Sequence, residues 1–232
     1  YKEDPHLKTI ETGHYIKGMQ ALLNAHFDLR NFHKFEETVR EFEAYEKTPE
    51  AQLHDNFRTH TSIYINSSKI NGHLMKGTFK EGLKLVPIIE EKLHEYALFV
   101  DQHRILVFNY KIASLYFGNG NYEKAIDYLH RIINGPMDIR IDLQCYARLM
   151  HLLSHYELGN YEILDSLSKS VHRFMEKMKN LTTVEEAVFK FLKTSFTQSP
   201  DKIRKALEKL LSDIKHLENN RFQTRSFAYL DI

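Results

Sequence analysis

Apolar residues recur at spacings of three and four along most of this chain, which is the period of a helix with one buried face. Phe32, Phe35, Val39 and Phe42 form one such stripe, and Ile105, Phe108, Ile112 and Tyr116 another. No stretch alternates strictly with β-branched residues over the length of a strand. The breaks between stripes carry helix-boundary chemistry. Asp4-Pro5 predicts a first helix running to about His26 or Leu29, in which Gly13 and Gly18 mark a close crossing or a break. Asn31 is placed to cap the second, and Thr48-Pro49 opens a long pattern from Glu50 to Lys76 that Gly77 ends. Thr78-Phe79-Lys80-Glu81 fits a capping box before a helix carrying Leu83, Val86, Ile89, Leu93 and Leu98, which Pro87 should kink or split.

The second half repeats this grammar. Val100 or Asp101 begins a fifth helix, and Asn121 caps a sixth that Gly135-Pro136 ends. Asp138 is expected to cap the seventh, and Gly159-Asn160 separates it from the eighth. Thr183-Val184-Glu185-Glu186 reads as a second capping box. Ser199-Pro200 opens a helix whose Ile203, Leu207, Leu210, Leu211 and Ile214 face inward, and a short last helix starts near Asn220. Ten or eleven helices joined by short loops predict an all-α chain with antiparallel neighbours. No compositional shift marks an internal boundary, so residues 1–232 read as one domain, part of a longer chain.

Composition narrows the function classes. The 232 residues carry 32 basic and 31 acidic side chains, so no global field draws nucleic acid or an anionic membrane surface. No apolar run approaches the roughly 20 residues of a membrane span, and a cytoplasmic location is expected. Arg140, Arg148, Lys169 and Arg173 are interleaved with Asp138, Asp142, Glu157, Glu162 and Asp165, the pattern of a solvated helix surface.

Three turns align as a glycine, a capping residue and an aromatic: Gly77-Thr78-Phe79, Gly120-Asn121-Tyr122 and Gly159-Asn160-Tyr161. Arg30-Asn31-Phe32 has the same form without the glycine. The segment from Tyr110 to Pro136 adds Ile112-Ala113, Tyr116, Ala125-Ile126, Leu129 and Ile132-Ile133 around its turn. In these residues the chain resembles the tetratricopeptide repeat family. Leu149 to Val171 is a second copy, with Leu152-Leu153, Tyr156 and Leu164. The glycines stand 43 and 39 residues apart, longer than the family period of about 34.

The resemblance implies a right-handed superhelical array of about five antiparallel helical hairpins that binds rather than catalyses. Its partner would be a protein or peptide held on the concave face, with no cofactor. Carried onto the first copy, that face comprises Val107, Tyr110, Ser114 and Phe117; onto the second, Ala147, Met150, Ser154 and Glu157. From the sequence, Tyr110 and Phe117 could instead extend the core. If they line a groove, Tyr110→Ala and Phe117→Ala should melt near the parent while Leu129→Ala melts far lower. A different reading makes the array the peptide- or ligand-sensing half of a signalling or transcriptional regulator.

Candidate chemistry is sparse. His151 and His155 lie one helical turn apart and could reach one point, but Leu152 follows where the metalloprotease motif has glutamate, and only Glu157 is near in sequence. An ordinary helix-surface pair is expected, with no metal. Cys145 sits in the apolar run Ile141 to Leu149 and is expected to be a buried, inert thiol. No catalytic residue is assigned.

Overall fold

The structure, a computed structural model, describes Asp4, residues 6–195 and 200–218, and Asn220, Gln223, Ser226, Phe227 and Tyr229. Pro5, Ser199 and most of the segment after Glu218 lie outside the described residues. So does the cap before Pro200, whereas the first helix is described from its start at Leu7. Among the described residues every regular element is helical and there is no strand.

The chain packs as two compact units, Tyr1–Asn119 and Gly120–Ile232. In the first unit the elements are α1 (Leu7–Ile10), α2 (Thr12–Asp28), α3 (Phe32–Glu46), α4 (Pro49–Gln52), α5 (Asp55–Lys76) and α6 (Phe79–Gly82). A 3₁₀ turn (Leu83–Leu85), α7 (Val86–Glu95) and α8 (Gln102–Gly118) follow. The 22-residue α5 is central and packs against α2, α3, α4, α6, α7 and α8. Leu23, Phe35, Phe42, Ile63, Ile70 and Ile89 are buried. In the second unit α9 (Tyr122–Ile133), α10 (Ile141–Glu157), α11 (Tyr161–Lys177), α12 (Thr183–Ser195) and α13 (Pro200–Lys215) each pack on the next, most extensively between α9 and α10 and least between α11 and α12. Leu129, Ile132, Tyr146, Leu149, Leu152, Leu164 and Leu192 are buried.

Several boundaries follow the sequence. Asn31, Asp101 and Asn121 accept from the backbone N–H three residues on, and Thr48 does the same for Ala51. Pro87 splits its helix, with the 3₁₀ turn before it and α7 after. Others differ. The pattern from Glu50 to Lys76 is two helices, α4 and α5, and the first helix breaks at Glu11 rather than at either glycine. Thr78 makes no cap, because its hydroxyl pairs with His73 Nδ1 at 2.8 Å. Asp138 is not a cap either: α10 starts after Arg140, a residue in the left-handed region at φ 54°. The second capping box is shifted by one, with Thr182 N–H donating to the Glu185 carboxylate at 2.8 Å. On α13, Ile203, Leu210 and Ile214 are half-buried, whereas Leu207 and Leu211 are exposed.

The recurring turn has a definite geometry. Gly77 and Gly159 sit in the left-handed region at φ 65° and 73°, and Arg30 and Lys179 at 50° and 53°. Each of these four closes its helix with the paired bonds of a Schellman motif. The left-handed residue donates back to Leu74, Tyr156, Phe27 and Glu176 respectively, and its successor donates to His73, His155, His26 and Met175. Arg30 therefore fills the position of the missing glycine, and Lys179-Asn180 is a further copy without one. A side chain in this region costs about 1 kcal/mol or more. The nearest atom to a Cβ on Gly77 is 3.9 Å away, so sterics from neighbours add little. Gly77→Ala should lower the melting temperature by about 2–4 °C, roughly 1 kcal/mol for a chain of this size, while Lys179→Gly should not lower it. Differential scanning fluorimetry of the two variants checks this.

Candidate functional site

The residues assigned to a concave face are mostly interior. On α8, Tyr110 is 7 % exposed and Ser114 2 %; on α10, Met150 is 3 % exposed and Ser154 fully buried. The two hydroxyls are used inside their own helices, Ser114 Oγ donating to Tyr110 O at 3.0 Å and Ser154 Oγ to Met150 O at 2.9 Å. Ala147 is also buried, while Val107 and Phe117 are half-buried. Glu157 is exposed and accepts from Tyr122 Oη at 3.4 Å. Most of the expected stripe is interior: Val107 and Phe117 are half-buried, and of these residues Glu157 alone is exposed. The physical reason is that α8 and α10 bury apolar and small residues on more than one face, so the stripe beside the packing face is itself covered.

An accessible concavity lies elsewhere, in the first unit. It has a volume of about 650 Å³ and is bounded by Thr9 to Lys17 on one side and by Leu53, Asn56, Phe57 and His60 on the other. Two chain breaks form it: Glu11, between α1 and α2, and Leu53-His54, between α4 and α5. A break turns residues out of the helical phase that buried their neighbours. Accordingly Ile10 and Leu53 are each 67 % exposed, and together they flank the cleft. Ile16 is buried in its lining and Phe57 is half-buried, its ring 5.5 Å from that of His54.

The polar groups of the cleft are partly committed. Thr9 Oγ1 donates to Glu50 at 3.3 Å, and Thr12 Oγ1 donates to the Lys8 carbonyl at 3.0 Å. His60 Nδ1 lies 2.7 Å from the Asn56 carbonyl and must donate to it, which leaves Nε2 of the neutral ring as an acceptor. His14 and Lys17 are exposed. The cleft therefore offers apolar contact at its rim and both donors and acceptors along its walls. Sequence reasoning missed it because α1 and α4 are each only four residues long. The available signals were Gly13 and Thr48-Pro49, read there as helix features rather than as the edges of a groove.

The second unit holds the histidine pair. The structure adds His130 to it: His151 Nε2 is 3.1 Å from His130 Nε2 and 3.2 Å from His155 Nε2. These nitrogens pair with one another. Among the described residues no group of three or more His, Cys, Asp or Glu side chains is arranged to hold a metal ion. Cys145 is fully buried, and burial pushes its thiol up to about 12. It should be unreactive toward a thiol reagent such as dithiobisnitrobenzoate in the folded protein and react once in denaturant. Prompt labelling without unfolding would contradict its placement.

A polar network ties α10 to the residues beyond α13. Arg140 makes two bonds to Asp142, at 2.9 and 2.8 Å, and donates to Tyr229 Oη at 2.8 Å. Tyr229 donates to Asp142 at 2.6 Å and stacks on Tyr146 with ring centroids 4.3 Å apart. Burial alone would raise the Asp142 carboxyl, but the bonds from Arg140 and Tyr229 outweigh it and hold the group well below the usual carboxylate range. Among the described residues no helix is long and apolar enough to cross a membrane. No protein-family model, no curated protein and no solved structure matches this chain.

Proposed function

We propose that this chain is a protein-interaction module of tetratricopeptide-like helical hairpins, and that its first unit takes a segment of a partner polypeptide in the cleft between Ile10 and Leu53. The observation that carries the reading is the pairing of an open 650 Å³ concavity with two exposed aliphatic side chains on its rim. Water-exposed Ile and Leu gain by burial against a partner's apolar side chain. The left-handed turn residues Arg30, Gly77, Gly120 and Gly159, spaced 47, 43 and 39 residues apart, support the repeat reading. The role is binding rather than catalysis, with neither cofactor nor nucleic acid.

The test is a selection of displayed random peptides on the immobilised chain, repeated on the double variant Ile10→Glu, Leu53→Glu. Both side chains are on the surface, so the variant should fold with an unchanged circular dichroism spectrum. Peptides with aliphatic or aromatic anchors should be enriched on the parent and lose at least tenfold in affinity on the variant, since a charge replaces each anchor. Failure to enrich any peptide, or equal affinity for the variant, would reject the cleft as the binding site.

A further inference from the structure

His130, in the last turn of α9, His151 in the middle of α10 and His155 one turn further on form a continuous run of imidazoles. The ring centroids are 4.9 Å apart for His130 and His151 and 4.5 Å for His151 and His155. The protons can be placed. Asn160 Nδ2, which can only donate, lies 2.9 Å from His155 Nδ1. His155 Nδ1 is therefore the acceptor, and the neutral ring carries its proton on Nε2. That proton points to His151 Nε2, which accepts it, and His130 Nε2 meets the same atom. With His151 Nε2 accepting, His130 Nε2 is attracted to it only in the tautomer that carries its proton there, and in that tautomer the one lone pair of His151 is shared between two donors. That nitrogen has no room for a proton of its own unless both neighbours withdraw.

We propose that these three histidines are an acid-sensitive latch between α9 and α10: neutral, they join the end of α9 to the middle of α10, and a proton on His151 breaks both contacts and separates the helices there. The surroundings do not offset that charge. On α10, Arg148 lies nearly one turn before His151 and His155 one turn after it; on α9, His130 faces it, and Arg131 next to His130 lies over the Tyr128 ring. On α11, Asp165 pairs with Lys169, and His172 with Glu186 of α12. Glu157 takes a bond from Tyr122. Burial is the chief influence on His151, followed by His155, His130 and Arg148, and all four act against the charged ring; no carboxylate is among them.

The pH window follows from the direction of the shift. The His151 ring is pushed down from 6.5 to about 4, and His155 is lowered too, first by burial and then by His130. The unfolded chain then binds protons that the folded chain refuses, so the latch is fully closed above 6.5 and is lost as pH falls from there toward 4. Asp142 acts in a separate window, below the ordinary carboxylate range, because its folded value is depressed from 3.8. His73 of the first unit is lowered by burial and shares the imidazole window, so the parent chain alone is not a sufficient test.

The experiment combines an NMR titration of the imidazole protons with urea unfolding at pH 7, 5.5 and 4.2, for the parent, His151→Gln and His130→Gln. His151 should titrate near 4. The folding equilibrium constant should fall about tenfold more between pH 7 and 4.2 in the parent than in His151→Gln, an order-of-magnitude figure reduced for the partial access of water to the ring. In His130→Gln, whose exposed position makes misfolding a minor risk, His151 should titrate higher because one opposing imidazole is gone. A His151 that titrates near 6.5 would overturn the latch. So would parent-like pH dependence in His151→Gln, or no change of the His151 titration in His130→Gln.

Discussion

Leu129→Ala and Tyr110→Ala should both melt far below the parent, and Phe117→Ala should fall between them and it. Leu129 is fully buried on α9 and Tyr110 is 7 % exposed on α8. Truncating a buried leucine costs about 2–5 kcal/mol, because the transfer energy of the removed groups is joined by that of the cavity left behind. A buried aromatic costs roughly 3–5 kcal/mol by the same reasoning. At about 2–4 °C per kcal/mol for a chain of this length, each variant should lose on the order of 10 °C. Phe117 is half-buried and gives up about half as much area, so a loss of roughly 1–2 kcal/mol is expected. This reverses the ordering that the repeat resemblance implied, where Tyr110 was an exposed anchor. Thermal unfolding of the three variants decides between them; a Tyr110→Ala that melts with the parent would restore Tyr110 to an accessible face.

Glu185→Ala should also be severely destabilising, and through a different mechanism. Glu185 is fully buried on α12. Its carboxylate accepts from Tyr146 Oη and from the Thr182 backbone N–H, both at 2.8 Å, and from the Thr182 hydroxyl. Removing it takes an acceptor from three donors; the Tyr146 hydroxyl keeps Ser226 Oγ at 3.3 Å and the Thr182 hydroxyl keeps Gln223 Oε1 at 2.6 Å, but the bonds lost are to a charged group and are worth about 1.5–3 kcal/mol each. A total near 3 kcal/mol is expected, against roughly zero for the neighbouring exposed Glu186→Ala. Tyr146→Phe should cost less, because it removes one donor together with its hydrogen bond and leaves the remaining acceptor contacts of Glu185 in place. Urea denaturation of the three proteins measures the differences. Equal stability of Glu185→Ala and Glu186→Ala would show that the network contributes nothing.

The helical class was legible because helices announce themselves locally. Asn31, Asp101 and Asn121 cap through bonds three residues long, and Pro87 and Gly77 act on the backbone they belong to. The errors arise where a side chain had a competing partner at longer range. Thr78 bonds His73 instead of capping, and Glu185 is drawn into the interior by Tyr146. The Schellman turns at Arg30 and Lys179 were only half visible, since glycine is the usual signal for a left-handed residue and here it is absent. Most of the assigned binding face is interior for a related reason. A repeat pattern tells which residues share a helix face, but Ser114 and Ser154 look polar in sequence while their hydroxyls are satisfied inside the helix. His130 was invisible as a partner of His151 because the two are 21 residues apart on different helices.

Hydrogen exchange of the chain with and without a selected peptide tests the binding account most directly. If the cleft in the first unit is the site, slowed exchange on binding will concentrate in residues 9–17 and 53–60, and the Ile10→Glu, Leu53→Glu variant will show none. Protection centred instead on residues 107–117 and 147–157 would contradict it and return the site to the face first read from the sequence.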